Sequence, residues 1–170
     1  MQALEFWKTV TADHANLLES LIALLNEHRV RYCVIGGQAV NAYAEPLVSL
    51  DLDLVIAIGD FERATPLLAA QFEIEPFPHS INLSVPGSSL RVQIQTDPRY
   101  MDFPGRAAPR QVLGLTLPVA SLDDLLQGKI WAATDPERRQ KDLLDIARLI
   151  EKYPRLRERV PEDLLKRLSF

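Results

Sequence analysis

Two aspartates separated by one residue are the side chains of this sequence best suited to chemistry. Asp51 and Asp53 open an apolar run that continues to residue 58. In a β-strand, residues two apart project to the same side, roughly 6.5–7 Å apart along the backbone. Two carboxylates held in this way suit a divalent metal ion, which prefers oxygen ligands. The spacing therefore predicts that Asp51 and Asp53 ligate a metal.

A pair of glycines stands ahead of the aspartates. Gly36 and Gly37 follow the apolar run 30–35 and precede a helical pattern over 38–44. A strand that turns at glycines into a helix lets a phosphate approach the backbone and offers it the helix N–H groups. We predict a phosphate site formed by Gly36, Gly37 and Ser49, facing the metal site.

The remaining pattern predicts a mixed set of helices and strands around these residues. A packing helix, with its start at Thr11 or Asp13, covers 15–28, and the aspartate strand lies inside a sheet because it is apolar on both faces beyond Asp53. The other predicted elements are a helix from 59–60 that breaks or restarts at Pro66, antiparallel strands over 72–77, 81–85 and 89–96, a loop over 97–109, a segment 111–119 that bends at Gly114, a helix capped by Ser121, and a helix restarting at Asp135-Pro136.

Length and composition predict one compact soluble unit. The 170 residues are 47% hydrophobic and 25% charged, which excludes long disorder. We divide the chain into a core over 1–120 and a helical C-terminal segment over 121–170 that packs on it. Neither a membrane span nor a signal peptide is predicted. The single cysteine, Cys33, is predicted to be a buried small hydrophobe, which fits a reducing, cytoplasmic location.

Charge is distributed unevenly along the chain. Residues 1–128 carry 8 basic and 15 acidic side chains, whereas residues 129–170 carry 11 basic and 8 acidic ones, within a net charge of −4. The acidic body does not support a nucleic-acid partner. The basic tail fits contact with phosphates or an acidic partner, or a solvated helix surface. The 3 histidines show no zinc-ligand spacing.

The glycine pair followed by Asp51-Leu52-Asp53 resembles the nucleotidyltransferase superfamily, in particular the small bacterial nucleotidyltransferase-like proteins of abortive-infection and toxin–antitoxin modules. The stretches 117–129 and 138–146 resemble the same group. The resemblance implies an α+β (mixed α/β) fold, with a nucleotidyltransferase-like mixed β-sheet and helices packed on it. It also implies a nucleoside triphosphate such as ATP, one or two Mg²⁺ ions, an acceptor that the sequence does not identify, and a possible partner protein.

One position departs from that family pattern. Active members usually carry a third carboxylate on a later strand, and the matching segment 89–96 offers Gln93 instead. A glutamine oxygen can touch magnesium, but it brings no negative charge and cannot take a proton from a hydroxyl. Asp97 lies about 13 Å further along the strand, too far to substitute without a bulge. Glu73 and Glu75 are conceivable substitutes that no geometric reason selects.

Two lysines are candidates for neutralising the triphosphate. Lys129 is either such a group or a surface helix lysine. Lys141 is either such a group or a helix-surface ion-pair partner of Asp145, in the way that Arg138 is spaced to pair with Asp142.

Three hypotheses remain open from the sequence. The first is an active, metal-dependent nucleotidyltransferase that uses Asp51 and Asp53, with a compensating group elsewhere. The second is a protein of the same fold with weak or lost catalysis, acting as a nucleotide-binding or partner-binding module. The third is an unrelated mixed α/β protein in which the two aspartates merely solvate a strand end. Gln93 separates the first two, and the positions of the aspartates and the glycine turn separate both from the third.

Overall fold

A computed structural model of the chain describes residues 3–10, 16–135 and 139–168, with the side chains of Val10 and Arg139 excepted. The strands are β1 Tyr32–Ile35, β2 Asp51–Ile56, β3 Glu73–Phe77, β4 Ser80–Ser84, β5 Arg91–Gln95, β6 Ala108–Val112 and β7 Leu115–Val119. The α-helices are α1 Ala3–Val10, α2 Leu17–Glu27, α3 Gly36–Tyr43, α4 Ile58–Gln71, α5 Leu122–Ala133, α6 Arg139–Lys152 and α7 Glu162–Leu165. Short 3₁₀ helices span Pro98–Tyr100, Phe103–Arg106 and Pro154–Arg159.

The seven strands form one mixed sheet in the order β3-β4-β5-β2-β1-β7-β6. Antiparallel hairpins occupy both ends of the sheet, whereas β2 runs parallel to β5 and β1 parallel to β7. The aspartate strand β2 lies in the middle, and its residues 54–56 are fully buried. The fold is therefore the predicted mixed α+β fold, with the aspartate strand inside the sheet.

Helices cover the sheet and carry most of the remaining core. α2 buries five leucines, at positions 17, 18, 21, 24 and 25. α3 packs against β1 and β2 and also against α5 and α6, which connects the C-terminal helices to the central strands. Ser121 caps α5, as predicted, because its hydroxyl accepts the backbone N–H of Asp124 at 3.1 Å. The buried apolar residues of α6 are Ile146, Leu149 and Ile150.

The predicted break at Pro66 is wrong. α4 runs without interruption from Ile58 to Gln71, with Pro66 inside it. An internal proline costs a helix about 3 kcal/mol because it removes a backbone hydrogen bond. In α4, Ala64 and Leu68 are fully buried, and this packing holds the helix together across the proline.

Other differences concern the connections. The segment predicted to bend at Gly114 is the β6–β7 hairpin, whose turn residues Leu113 and Gly114 both have positive φ, 54° and 81°. The predicted loop 97–109 contains two 3₁₀ helices and the start of β6. Helix α1 is not predicted from the sequence. The predicted helix start at Thr11 or Asp13 and residue Pro136 lie outside the described residues.

No helix within the described ranges is both long enough and apolar enough to cross a membrane.

Candidate active site

The site is organised by the parallel pairing of β2 and β5. In this register Asp51 lies opposite Arg91 and Asp53 lies opposite Gln93. Adjacent strands are about 4.8 Å apart, and paired residues of parallel neighbours project to the same face. The structure therefore brings Gln93 beside Asp53, in the place expected for the third carboxylate. The assignment of Asp51, Asp53 and Gln93 as site residues stays a prediction.

The glycine turn lies directly against Asp53. Gly36 has φ +72°, and a Cβ atom added to it would lie 2.2 Å from Asp53 Oδ2. A side chain is excluded here both by the backbone conformation and by the neighbouring carboxylate. The α3 helix begins at this residue, two positions earlier than predicted. The predicted phosphate site and the predicted metal site are thus immediate neighbours.

Ser49 lies beside the second glycine. A Cβ atom at Gly37 would be 3.1 Å from Ser49 Oγ. Two donors that the sequence analysis missed hold the Ser49 carbonyl: Trp7 Nε1 donates to it at 3.0 Å and Gln38 Nε2 at 2.8 Å. These bonds fix the chain just before β2 and connect α1 to that segment.

Two amide side chains extend the polar face of the sheet beyond Asp53. Gln93 donates from Nε2 to Ser80 Oγ at 2.9 Å, which leaves its amide oxygen as an acceptor. Asn82 is the register partner of Gln93 on β4. Its Oδ1 atom is buried and accepts no hydrogen bond from the described residues. A buried oxygen of this kind is an acceptor site for a bound hydroxyl, amine or water.

Arg91 forms an ion pair with Asp51, the first of the two aspartates. Its Nε atom lies 2.8 Å from Asp51 Oδ1. The Arg91 side chain is 73% exposed and that of Asp51 is 29% exposed, so the pair lies at the mouth of the site. Strand alternation puts Arg91 on the same face of β5 as Gln93. The parallel register that sets it opposite Asp51 has no local sequence signal.

Lys129 is not a surface lysine. It is only 7% exposed, and its Nζ atom lies 3.2 Å from Asp142 Oδ1 and 2.8 Å from Asp145 Oδ2. Burial alone lowers the pKa of the Lys129 ammonium, but the two carboxylates outweigh that effect and the pKa lies above the usual lysine value. The ammonium is therefore charged at neutral pH and ties α5 to α6.

Lys141 does not serve the predicted ion pair with Asp145. The Asp145 carboxylate contacts Lys129 and also Arg148, whose Nη1 lies 2.9 Å from its Oδ1. These partners draw Asp145 into the interior, where it is 3% exposed, whereas Lys141 stays exposed at the cleft. The second predicted pair cannot be assessed because Arg138 lies outside the described residues.

A cleft of about 410 Å³ joins these groups. The sheet provides one wall, and Lys129, Ala132, Lys141 and Asp142 from α5 and α6 provide the other. Its ionisable lining residues are three aspartates, at 51, 53 and 142, and three cations, at 91, 129 and 141. These charges balance, so the lining as a whole carries no net formal charge.

A second groove of about 480 Å³ continues from this cleft and shares Asn82, Gln93 and Ala132 with it. It is also lined by Phe77 of β3, which is 45% exposed, and by Trp131 of α5. Trp131 packs on Tyr100 with a ring-centroid distance of 5.1 Å. The groove therefore combines aromatic surface with amide groups, and its volume suits a drug-sized molecule.

The described residues of the cleft offer a metal ion few negatively charged ligands. Among the described residues, no group of three or more His, Cys, Asp or Glu side chains is placed to hold a metal ion. The donors present are the carboxylates of Asp51 and Asp53 and the amide oxygen of Gln93. Oxygen donors of this kind fit Mg²⁺, which keeps several waters and takes one or two carboxylates from the protein.

The fold is shared with known nucleotidyltransferases. The structure of ANT(2'')-Ia in complex with adenylyl-2''-tobramycin superposes with a TM-score of 0.63 at 11% identity, covering 90% of this chain and 97% of that one. The lincosamide antibiotic adenylyltransferase LnuA, lincomycin-bound, gives 0.53 at 16% identity, covering 78% and 93%. A nucleotidyltransferase-like protein from Paracoccidioides brasiliensis gives 0.52 at 18% identity, covering 83% and 77%.

At these identities the likeness establishes the fold. A scan against protein family models finds no match, and a search of curated proteins finds none either.

Proposed function

We propose that this chain, which has a nucleotidyltransferase fold, transfers a nucleoside monophosphate from a nucleoside triphosphate to a hydroxyl group of an acceptor. The observation that carries the proposal is the contact between the glycine turn and the aspartate strand. Gly36 lies so close to Asp53 that a Cβ atom would clash with its carboxylate. A phosphate bound at the turn would therefore lie beside a metal bound at Asp53.

The cleft residues fit one magnesium ion better than two. Asp51 and Asp53 supply two negative charges, and Arg91 offsets one of them. We propose that these two carboxylates and the Gln93 oxygen hold the ion. When bound, Mg²⁺ supplies neutralisation of the triphosphate and polarisation of the phosphorus that is attacked.

The protein's own residues would orient the reacting groups. Gly36, Gly37 and Ser49 would bind the phosphates, with Lys141 placed in the cleft to offset the charge of the departing pyrophosphate. The acceptor oxygen would form a bond to the α-phosphorus as the bond to the β-phosphate oxygen breaks. Gln93 cannot receive the hydroxyl proton, so we assign that role to Asp53.

Lys129 would act on the nucleotide through the wall it stabilises. Its ammonium contacts Asp142 and Asp145, although it also lines the cleft. We propose that Lys129 primarily fixes the α5–α6 wall against which the nucleotide packs. A direct contact with phosphate stays a prediction of the sequence.

The acceptor would enter through the aromatic groove. LnuA is named as an adenylyltransferase of lincosamide antibiotics, and ANT(2'')-Ia is described with an adenylylated tobramycin. By analogy with these two proteins, we propose a small molecule with hydroxyl groups as the acceptor. The buried Asn82 oxygen would accept a hydrogen bond from it, and Phe77 would pack on its apolar side.

The test combines binding and transfer. We expect ATP or another triphosphate with Mg²⁺ to raise the melting temperature. We also expect radiolabel to pass from an α-³²P-labelled triphosphate to an acceptor in a panel of small molecules, RNA and proteins. Asp51→Asn with Asp53→Asn should abolish both effects. Asp102→Asn, which changes an exposed carboxylate outside the cleft, serves as the control. Absence of any shift with all four triphosphates would refute the proposal.

A second function is favoured by the same site. Gln93 lacks a charge and Arg91 neutralises part of Asp51. These features suit a nucleotide-binding or partner-binding module with weak or no catalysis, in the cytoplasmic toxin–antitoxin setting expected from the sequence. Gln93→Asp separates the two functions: metal affinity rises under either, whereas transfer rises only in an enzyme that retains the remaining machinery.

A further inference from the structure

We infer that Arg91 is an exchangeable counterion: it pairs with Asp51, and it moves to the triphosphate when a metal-bound triphosphate enters the cleft. The inference rests on the proposed function and adds to it a phosphate-binding residue and an order of binding. The first observation is the pairing of β2 with β5, which sets Arg91 directly opposite Asp51, a predicted metal ligand.

The Arg91–Asp51 pair is weak enough to be exchanged. The Arg91 side chain is 73% exposed, and exposed ion pairs contribute about 0–1 kcal/mol. Asp60 provides a contrast within the same chain. Its Oδ2 accepts both the backbone N–H and the Nε–H of Arg31, at 2.8 Å and 3.1 Å, and Arg63 contacts its other oxygen at 3.2 Å. Those donors lower the pKa of Asp60, the backbone N–H of Arg31 most of all.

The Arg91 side chain borders two cavities. It lines the main cleft and an adjoining cavity of about 270 Å³, which Gly37, Ser49 and Lys141 line as well. Rotation of the side chain would carry the guanidinium from Asp51, which lines both spaces, towards Gly37 and Ser49. The planar guanidinium binds phosphate through two parallel hydrogen bonds, an arrangement that a single carboxylate contact does not provide.

Exchange of this kind makes binding ordered. A metal ion that arrives alone has to displace Arg91 from Asp51 and gives the arginine no new partner. A metal-bound triphosphate provides that partner at the same time. Metal and nucleotide affinities are therefore coupled through Arg91, and the coupling is reciprocal. The cleft discriminates against free metal ions because of one exposed arginine.

The experiment measures Mn²⁺ binding to the full chain by titration calorimetry and electron paramagnetic resonance, with and without a non-hydrolysable ATP analogue. In Arg91→Gln we expect Mn²⁺ alone to bind up to about 5-fold more tightly, which is the most that release of a weak, exposed ion pair provides. The metal-bound analogue should bind about 5- to 150-fold more weakly, the usual range of coupling between sites. Arg91→Lys should retain part of the coupling. Arg63→Gln, which changes another exposed arginine paired with an aspartate, should alter neither affinity.

The possible results distinguish failure of the Arg91 inference from failure of the proposed function. If the native protein binds the metal-bound analogue and Arg91→Gln binds it equally well, the inference is wrong and the proposed function stands. The same conclusion follows if Arg91→Gln binds Mn²⁺ alone no more tightly than the native protein does. If the native protein binds neither Mn²⁺ nor the metal-bound analogue, the proposed function fails and the inference fails with it. Circular dichroism of each variant verifies that it is folded.

Discussion

Replacement of Lys129 by methionine should destabilise the protein severely. The change keeps the length of the side chain but removes an ammonium that is only 7% exposed and lies 2.8 Å and 3.2 Å from two carboxylates. Asp142 and Asp145 would then be buried near each other without their shared cation. Removal of one partner from a buried ion pair costs about 3–5 kcal/mol. Because a chain of this size loses roughly 2–4 °C per kcal/mol, the melting temperature should fall by about 6–20 °C.

Urea unfolding followed by circular dichroism measures this effect, with Lys141→Met as the matched control. Lys141 is exposed, so its loss should change the free energy of unfolding by no more than about 0.5 kcal/mol. The double variant Lys129→Met with Asp142→Asn should recover part of the loss, since one uncompensated charge is gone. A loss below about 1 kcal/mol in Lys129→Met would contradict the buried network described here.

Three further predictions concern single residues. Gly36→Ala should lower the free energy of unfolding by about 1–2 kcal/mol, because residue 36 has a positive φ. It should also weaken magnesium–nucleotide binding, because the new methyl group displaces Asp53. The control Gly105→Ala should have neither effect, because a Cβ atom there meets nothing within 4 Å. The thiol of Cys33, whose pKa burial raises to about 12, should resist alkylation at pH 8 in the native protein and react on denaturation. The pKa of Asp60 is lower in the folded protein than in the unfolded chain. The ionised carboxylate therefore stabilises the folded state above about pH 3.9, and this stabilisation is lost as the pH falls through the folded-state pKa. In Asp60→Asn the loss of stability on the acid side should be smaller.

The sequence predicts those parts of the fold that local chemistry determines. The aspartate strand, the glycine turn and the Ser121 cap each depend on residues within a few positions, and the observed elements contain all three. The prediction at Pro66 is wrong because the cost of a proline within a helix is outweighed by packing against residues that are distant in the sequence. α1 was missed, although Trp7 anchors the chain before β2.

The sequence places the candidate residues on their strands and helices, but it does not give the pairing of their charges. Strand alternation puts Arg91 and Gln93 on one face, yet only the parallel register decides that they meet Asp51 and Asp53. Spacing along α6 favoured a surface pair for Lys141 and left Lys129 open. The contact between α5 and α6 buries Lys129 instead and gives it both carboxylates. Tertiary packing, which carries no local sequence signal, assigns these partners.

The two walls of the cleft also leave the ribosome at different times. The sheet wall, with Asp53 and Gln93, is synthesised before the wall formed by α5 and α6, which begins at residue 122. A nascent chain that stops short of α5 would carry both aspartates and the glycine turn, yet it would have no closed site. A ligand bound between the walls would act as a non-covalent cross-link between early and late parts of the chain. Its effect should be greatest on the resistance of α5 and α6 to proteolysis.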